Sequence, residues 1–533
     1  MQRDLSSLAT LPKRDFLFQN WAKIYSITPQ LYFQPNSIEE IISIVNSARK
    51  EKKSIVTIGS GHSPSNICMT NEWIINLDNL NKIHDLKPNL NENYADVEVD
   101  AGVTIEELSK HLKRTGYDIQ NLGSISAQTI AGIISTGTHG SSPYHGLISS
   151  QYVNLTIVNG KGEVVFLDSE NNTDIFRAAL CSLGKIGIIV RATIRLVPKF
   201  NIKSTEEIIS LDNLIEKWDN IWTSSEFIRI WWYPYTKKCI LWRGEKTLED
   251  ATGQPSSWWG TKLGRFFYES LLWVSVKIYP SLTPFIERFV FNRQYGHLEK
   301  TNKFNKNQHI TTSIDGFNMD CLFSQFVDEW ACPLNDGPEI LRSLNHYILQ
   351  AANNKEFFVH VPIEVRCSNT TLPDTQPDTS RRTATSPGPV YGNILRPYLD
   401  NTPLNCKYSP LDSVTNNQLT LYINITIYRP FGTNPPIRNW FTLFEETMAA
   451  AGGKPHWAKN FLGSTTFVEE PYRQESEYDD FDMRGMAKKI RKWYGKDLQK
   501  FKEIRRDQDP NNIFVANKEW AISNGIIDTD ELA

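Results

Sequence analysis

Residues 58–65 read Ile58-Gly59-Ser60-Gly61-His62-Ser63-Pro64-Ser65, and they close a strand-like run, Ser54–Ile58. A glycine-rich turn directly after a strand lets main-chain N–H groups approach an anion closely, as phosphate cradles require. Asp78 even lies near the spacing at which a dinucleotide fold places its ribose-binding acid. The Rossmann fingerprint nevertheless fails. Its third glycine position is Pro64, and a helix cannot run straight through Ser63-Pro64. The turn is therefore a phosphate-type loop of another kind, with an imidazole in its middle. Taken alone, these residues fit equally well a tight turn carrying an exposed histidine.

A second patch shifts the balance. Gly123-Ser124-Ile125-Ser126 leads into Thr129-Ile130-Ala131-Gly132 and then Ser135-Thr136-Gly137-Thr138-His139-Gly140-Ser141-Ser142. Small residues at this density bury little apolar surface, but they bring main chain within hydrogen-bonding distance of a ligand. Two such patches in one domain suggest the walls of a long crevice for a dinucleotide; tight packing between strands is the other reading.

Around the patches, short strands alternate with capped helices. Ser37 with Glu40 and Thr104 with Glu107 are capping boxes. Ile38, Ile41, Ile42 and Val45 form one apolar helix face, and Ile105, Leu108 and Leu112 another, with Gly116 as its stop. Val97, Val99 and Ala101 alternate with Glu98 and Asp100 as a half-buried strand does. Asn159-Gly160-Lys161-Gly162 signals a hairpin returning through Val164 and Phe166, and Ile188–Val197 is a strand closed by Pro198. This is an α+β pattern.

After residue 200 the composition changes. Residues 218–295 are dense in aromatics, and 263–291 predict two amphipathic helices separated by Pro280, expected in the core rather than on a membrane surface. The Thr-, Pro- and Ser-rich stretch 370–391 reads as a long surface loop.

The whole chain of 533 residues is too long for one core at ~100–200 residues per domain. With 57 basic against 60 acidic residues, it lacks the positive charge on which bulk nucleic-acid binding depends. Seven cysteines without a CxxC pair exclude a disulfide framework and a zinc ribbon, and suit a reducing compartment. No run reaches the ~18 apolar residues of a bilayer span. The start, MQRDLSSLATLPKRDF, lacks the apolar stretch of a secretory signal.

GSGHSPS, the GSIS…TIAGIISTGTHGSS run and the strand before Pro198 resemble the FAD-binding domain of the vanillyl-alcohol oxidase superfamily. Within it the chain resembles the aldonolactone oxidoreductases nearly end to end, through SSPYHGLISSQYVNLTIVNGKG, FNMDCLFSQFVDEW, HVPIEVRCSNTTLP and GGKPHWAKNFLGSTT. The resemblance implies a two-subdomain FAD-binding domain of the PCMH type over 23–199, after an N-terminal segment 1–22. A cap domain with a mixed sheet follows over 200–450, and a C-terminal segment 451–533 closes the site and packs back on the flavin domain through Asp509-Pro510-Asn511-Asn512-Ile513-Phe514.

By the same resemblance His62 is the residue bonded covalently to the flavin. Gly59, Ser60, Gly61 and Ser63 hold the pyrophosphate, and Ser126, Gly132, Thr136, Gly137, His139 and Gly140 line the rest of the cofactor. Gly123 stands where the oxidases of the group carry glycine and the dehydrogenases alanine, so a missing Cβ leaves room for O2. Glu364 and Arg366 alternate on a strand and so share a face. With Lys459 and Ser124 they match the group that reaches the substrate and the electron-rich edge of the flavin.

The implied reaction oxidises the C2 hydroxyl of an aldono-1,4-lactone, with hydride passing to flavin N5. Oxygen then returns as hydrogen peroxide, and a five-carbon lactone gives an erythroascorbate-type product. A dehydrogenase passing electrons to cytochrome or quinone, and a non-catalytic FAD-binding protein, are the alternatives. Peripheral association with a mitochondrial membrane, the outer one by resemblance, completes the expectation; no metal site is expected. His84, His111, His297, His309 and His346 lack metal-ligand spacing, and Cys68 and Cys181 read as core fillers.

Overall fold

The computed structural model describes residues 11–253, 257–300, 308–319, 321–369, 380–381, 390–393, 395–401, 403, 416–461, 483–528 and 531. Most of the 370–391 stretch lies outside these residues; Ser380–Arg381 and Val390–Tyr391 form a short antiparallel ladder.

Beside a two-stranded ladder, Phe18–Gln19 with Ser26–Ile27, the N-terminal part holds two larger sheets. One is parallel, with strand order Leu31–Phe33, Trp73–Asn76, Ile55–Ile58. Helix Ile38–Glu51 connects two of these strands, and buries Ile41, Ile44 and Val45. Ser37 caps it as expected, but Glu40 reaches the Asn36 N–H at 2.7 Å, one residue earlier than a capping box requires. The Thr104–Glu107 box is complete.

The second sheet is antiparallel, ordered Val164–Asp168, Tyr152–Val158, Ile188–Pro198, Tyr94–Asp100, Ile83–Asn89. Val97 and Val99 face inward as their alternation dictates. Val164 and Phe166 on the hairpin return face solvent instead, while Leu167 packs inward. No helix follows Ile58, as Pro64 demands.

The cap is built on an eight-stranded sheet ordered Gln308–Thr312, Asn201–Ser210, Lys238–Thr247, Phe227–Tyr233, Ile363–Ser368, Thr420–Tyr428, Gln325–Pro333, Lys454–Pro455. Every adjacent pair in it is antiparallel, where a mixed sheet was expected. The strand–helix–strand unit 325–333, Gly337–Asn354, 363–368 does carry its strands in one direction. The 420–428 strand inserts between them and removes the parallel contact.

Main-chain hydrogen bonds join the two parts of the chain. Ser142 N–H donates to the Cys367 carbonyl at 2.9 Å, and Ile228 N–H to the Ser141 carbonyl at 3.1 Å, so the second glycine-rich segment is sewn to the cap sheet. In the C-terminal turn Asp509 accepts the N–H groups of Ile513 and Phe514 at 2.8 Å each, and Ile55 N–H reaches the Ile513 carbonyl at 2.6 Å.

Helices Lys262–Lys277 and Thr283–Lys300 flank Pro280. Their expected place in the core holds for one side only. Tyr268, Leu272, Ile286 and Val290 are buried, but Phe266, Phe267, Trp273, Ile278, Tyr279 and Phe285 are exposed, several above 60%. No described helix is long and apolar enough to cross a membrane.

Candidate active site

Two cavities meet at the GSGHS loop. The first is lined by Gly59 to Ser63, Thr129, Gly132, Thr136, Lys185 and Phe514. The second, of about 250 Å3, is lined by Gly123, Ser124, His139, Glu329, Glu364, Arg366 and Lys459 among others. His62, Ser63 and Gln128 belong to both, so the crevice is continuous with the imidazole at its waist.

The two glycine-rich segments touch there. A Cβ on Gly59 would lie 2.0 Å from Thr129 Oγ1, and Ser60 Oγ donates to the Ala127 carbonyl at 2.5 Å. Gly61 takes φ +68°, which glycine adopts without strain. His62 Nδ1 is buried with no hydrogen-bond partner, and burial pushes its pKa down to about 4. A neutral imidazole with an orphan nitrogen, on a side chain that lines both cavities, fits a bond to a cofactor, and the loop fits a cradle that side chains would fill. Trp21 stacks on this ring at 5.6 Å between centroids.

Ser126, Gly137 and Gly140, expected on the cofactor, stand off both linings. The Ser126 carbonyl accepts the Glu106 N–H at 2.9 Å. Gly137 supplies a turn at φ +73°, and a Cβ on Gly140 would lie 2.3 Å from Asn121 Oδ1. A left-handed turn accounts for glycine at 137, and close packing against Asn121 for glycine at 140. Gly123 is on the lining. A Cβ there would meet Thr138 Cγ2 at 3.1 Å and the His139 carbonyl at 3.5 Å, so a methyl fits with a small shift.

The charged wall is built from three segments. Strand 363–368 puts Glu364 and Arg366 on one face, with Arg366 Nε 3.3 Å from Glu364 Oε2. Arg366 Nη1 lies 3.4 Å from Ser124 Oγ. Lys459 is held by its neighbours: Asn460 N–H donates to the Val327 carbonyl at 2.7 Å, and Asn460 Nδ2 to the Pro64 carbonyl at 2.9 Å. The expected catalytic set, Ser124, Glu364, Arg366 and Lys459, is thus brought to one cavity.

Two charged residues join it that sequence reasoning missed. Arg229 lies 3.5 Å from Glu364 behind the wall, and burial lowers its pKa to about 10. Glu329 pairs with Arg366, with Lys459 at 3.4 Å and with His139 at 3.3 Å. Burial would raise its pKa, but those partners hold it well below the carboxylate range. Arg366 is held above its ordinary value, burial being outweighed by Glu364 and Glu329. The available signal was a charge inside an otherwise buried strand: Arg229 in FIRIWWY and Glu329 in QFVDEWACP.

His139, Glu329 and His456 bring ligand-type atoms within 4.8 Å of one another. The carboxylate is already committed to two cations, and His456 Nδ1 accepts the Ala458 N–H at 3.2 Å, so this is not a metal donor set.

Residues 192–524 match a family described as D-arabinono-1,4-lactone oxidase, and 29–168 match the FAD binding domain family. The chain belongs to the D-arabinono-1,4-lactone oxidase family. It is 66% identical to the D-arabinono-1,4-lactone oxidase of Saccharomyces cerevisiae over 99% of this chain and 100% of that one. The Kluyveromyces lactis protein of the same name is also 66% identical, over 97% and 98%. That of Yarrowia lipolytica is 49% identical over 97% and 99%. The fold is shared with a cholesterol oxidase from B. sterolicum, at TM-score 0.72 and 15% identity over 96% of this chain and 97% of that one. A solvent-stable cholesterol oxidase gives TM-score 0.69 at 15% identity, over 96% and 98%. The family match over 29–168 makes FAD the cofactor.

Proposed function

We infer that this chain is an FAD-dependent oxidase of D-arabinono-1,4-lactone and related aldono-1,4-lactones, using O2 and releasing hydrogen peroxide. The observation that carries the reading is the convergence of Ser124, Glu364, Arg366 and Lys459 on the cavity that His62 shares with the glycine-rich cradle. FAD, when bound, supplies the two-electron acceptor. The lactone loses its C2 hydrogen and its hydroxyl proton, and O2 takes up two electrons and two protons.

Each residue has a part in this. Glu364 orients the C2 hydroxyl and accepts its proton. Arg366 and Lys459 supply the positive charge that the pyrimidine edge of a reduced flavin needs, and in a largely buried wall that charge is poorly screened. Ser124, already in reach of Arg366, positions the substrate. His62 would hold the cofactor through a ring nitrogen, and an imidazole bonded to the flavin would raise its potential. The bulk of the cap excludes water from the cavity.

Covalent attachment has a direct test. Acid-precipitated, washed protein run on a denaturing gel is expected to keep flavin fluorescence, and His62→Ala to lose it. Flavin that washes out of the parent would contradict the bond and favour the dehydrogenase alternative.

Membrane association, at the mitochondrial outer membrane by family resemblance, is supported by the helix pair about Pro280. Its exposed Phe266, Trp273, Ile278 and Phe285 stand beside Lys262, Lys277 and Arg288, an apolar face with basic flanks suited to an anionic lipid surface. Phe266→Asp with Phe285→Asp should abolish co-sedimentation with phosphatidylcholine–cardiolipin vesicles. Unchanged sedimentation would remove the hairpin from that role.

A further inference from the structure

The mechanism so far leaves Glu329 without a task. It is fully buried on the 325–333 strand, and its main chain is fixed as well, since His456 N–H donates to its carbonyl at 2.8 Å. Its side chain is where three separate pieces of the site meet. Oε1 takes Arg366 Nη2 and lies 3.3 Å from His139 Nε2; Oε2 lies 3.4 Å from Lys459 Nζ. Arg366 comes from the cap strand, His139 from the second glycine-rich segment and Lys459 from the C-terminal segment.

The partners are themselves fixed. His139 Nδ1 bonds the Gly140 carbonyl at 2.9 Å, and its ring stacks on Tyr422 at 3.5 Å. Burial and Arg366 lower the pKa of this imidazole, while Glu329 and the Gly140 carbonyl pull it the other way. The charged groups beside it in the wall are Arg229, Arg366 and Lys459 against Glu364 and Glu329. A buried ion pair adds little net stability over well-packed apolar residues, so stability alone does not account for a carboxylate here. What it adds is orientation, and a negative charge beside the two cations of the cavity wall.

We propose that Glu329 is a positioning residue for the lactone oxidation, locking Arg366 and Lys459 in place and tempering the positive field they set at the flavin. The inference rests on the oxidase reading but separates from it in its consequences. Without the carboxylate's charge, the two cations favour any added negative charge on the flavin more strongly. Without its length, Arg366 shifts and the reacting geometry loosens although the charge survives.

The test uses the flavin-loaded enzyme with sulfite, which forms an anionic flavin adduct without any lactone. Glu329→Gln keeps a group of the same shape and is expected to tighten sulfite binding by about tenfold or more, with a raised flavin midpoint potential. Glu329→Asp keeps the charge. Its sulfite affinity should stay within about threefold of the parent while anaerobic reduction by lactone slows by about tenfold. A folded, flavin-loaded Glu329→Gln with parental sulfite affinity and potential would overturn the proposal. If that variant does not fold, Glu329→Asp decides, since parental lactone reduction would overturn the positioning role. Failure of the parent to be reduced by lactone would sink the oxidase reading instead, and leaves the sulfite comparison standing.

Discussion

Arg366→Lys is expected to slow anaerobic flavin reduction by D-arabinono-1,4-lactone by ~10²–10³, the range for removing one preorganised charge-stabilising donor. The variant keeps a cation between Glu329 and Glu364, so neither buried carboxylate is stripped of charge, and the chain should fold with its flavin. A lysine ammonium is a single point, however. It cannot bridge Glu329, Glu364 and Ser124 at once as the planar guanidinium does. Stopped-flow reduction at saturating lactone measures the effect. A rate within about threefold of the parent would remove Arg366 from the chemistry.

Gly123→Ala separates the two halves of the reaction. Oxygen consumption by the reduced enzyme should fall by about tenfold or more, a barrier increase of ~1.4 kcal/mol, while reduction by lactone stays near the parental rate. The added methyl is tolerated by the fold: its nearest neighbour is Thr138 Cγ2 at 3.1 Å, the end of a side chain on the same cavity wall. The methyl narrows that wall without touching Arg366 or Glu329. Rapid mixing of the reduced variant with aerated buffer gives the answer, and the parental rate of O2 use would defeat the gating argument.

Much of this site was legible in the sequence, for local reasons. Pro64 ruled out a Rossmann helix, and the chain after Ile58 has none. Period-two alternation put Glu364 and Arg366 on one face, and both line the cavity. Glycine density pointed to close main-chain approach, and Gly59 meets Thr129 across the two patches.

What was hidden depends on contacts between distant segments. Glu329 is paired with residues far along the chain in both directions, and no local period announces such a partner. A glycine that serves a turn, as Gly137 does, or close packing, as Gly140 does, looks the same in sequence as one that serves a ligand. The family resemblance implies a mixed cap sheet; the insertion of 420–428 between 325–333 and 363–368, which leaves every pair antiparallel, is a long-range event. The 263–291 helices read as amphipathic, and an apolar face suits a core or a membrane surface alike.

The central claim is that one cavity both oxidises an aldonolactone and hands the electrons to oxygen. Mixing the purified enzyme with D-arabinono-1,4-lactone in the absence of air tests it most directly. The visible flavin absorption should be lost, and should return on admission of O2 with hydrogen peroxide equimolar to the lactone consumed. Flavin that stays oxidised under lactone would contradict the account and leave a non-catalytic FAD-binding protein. Flavin that is reduced but recovers only with cytochrome or quinone would make the chain a dehydrogenase.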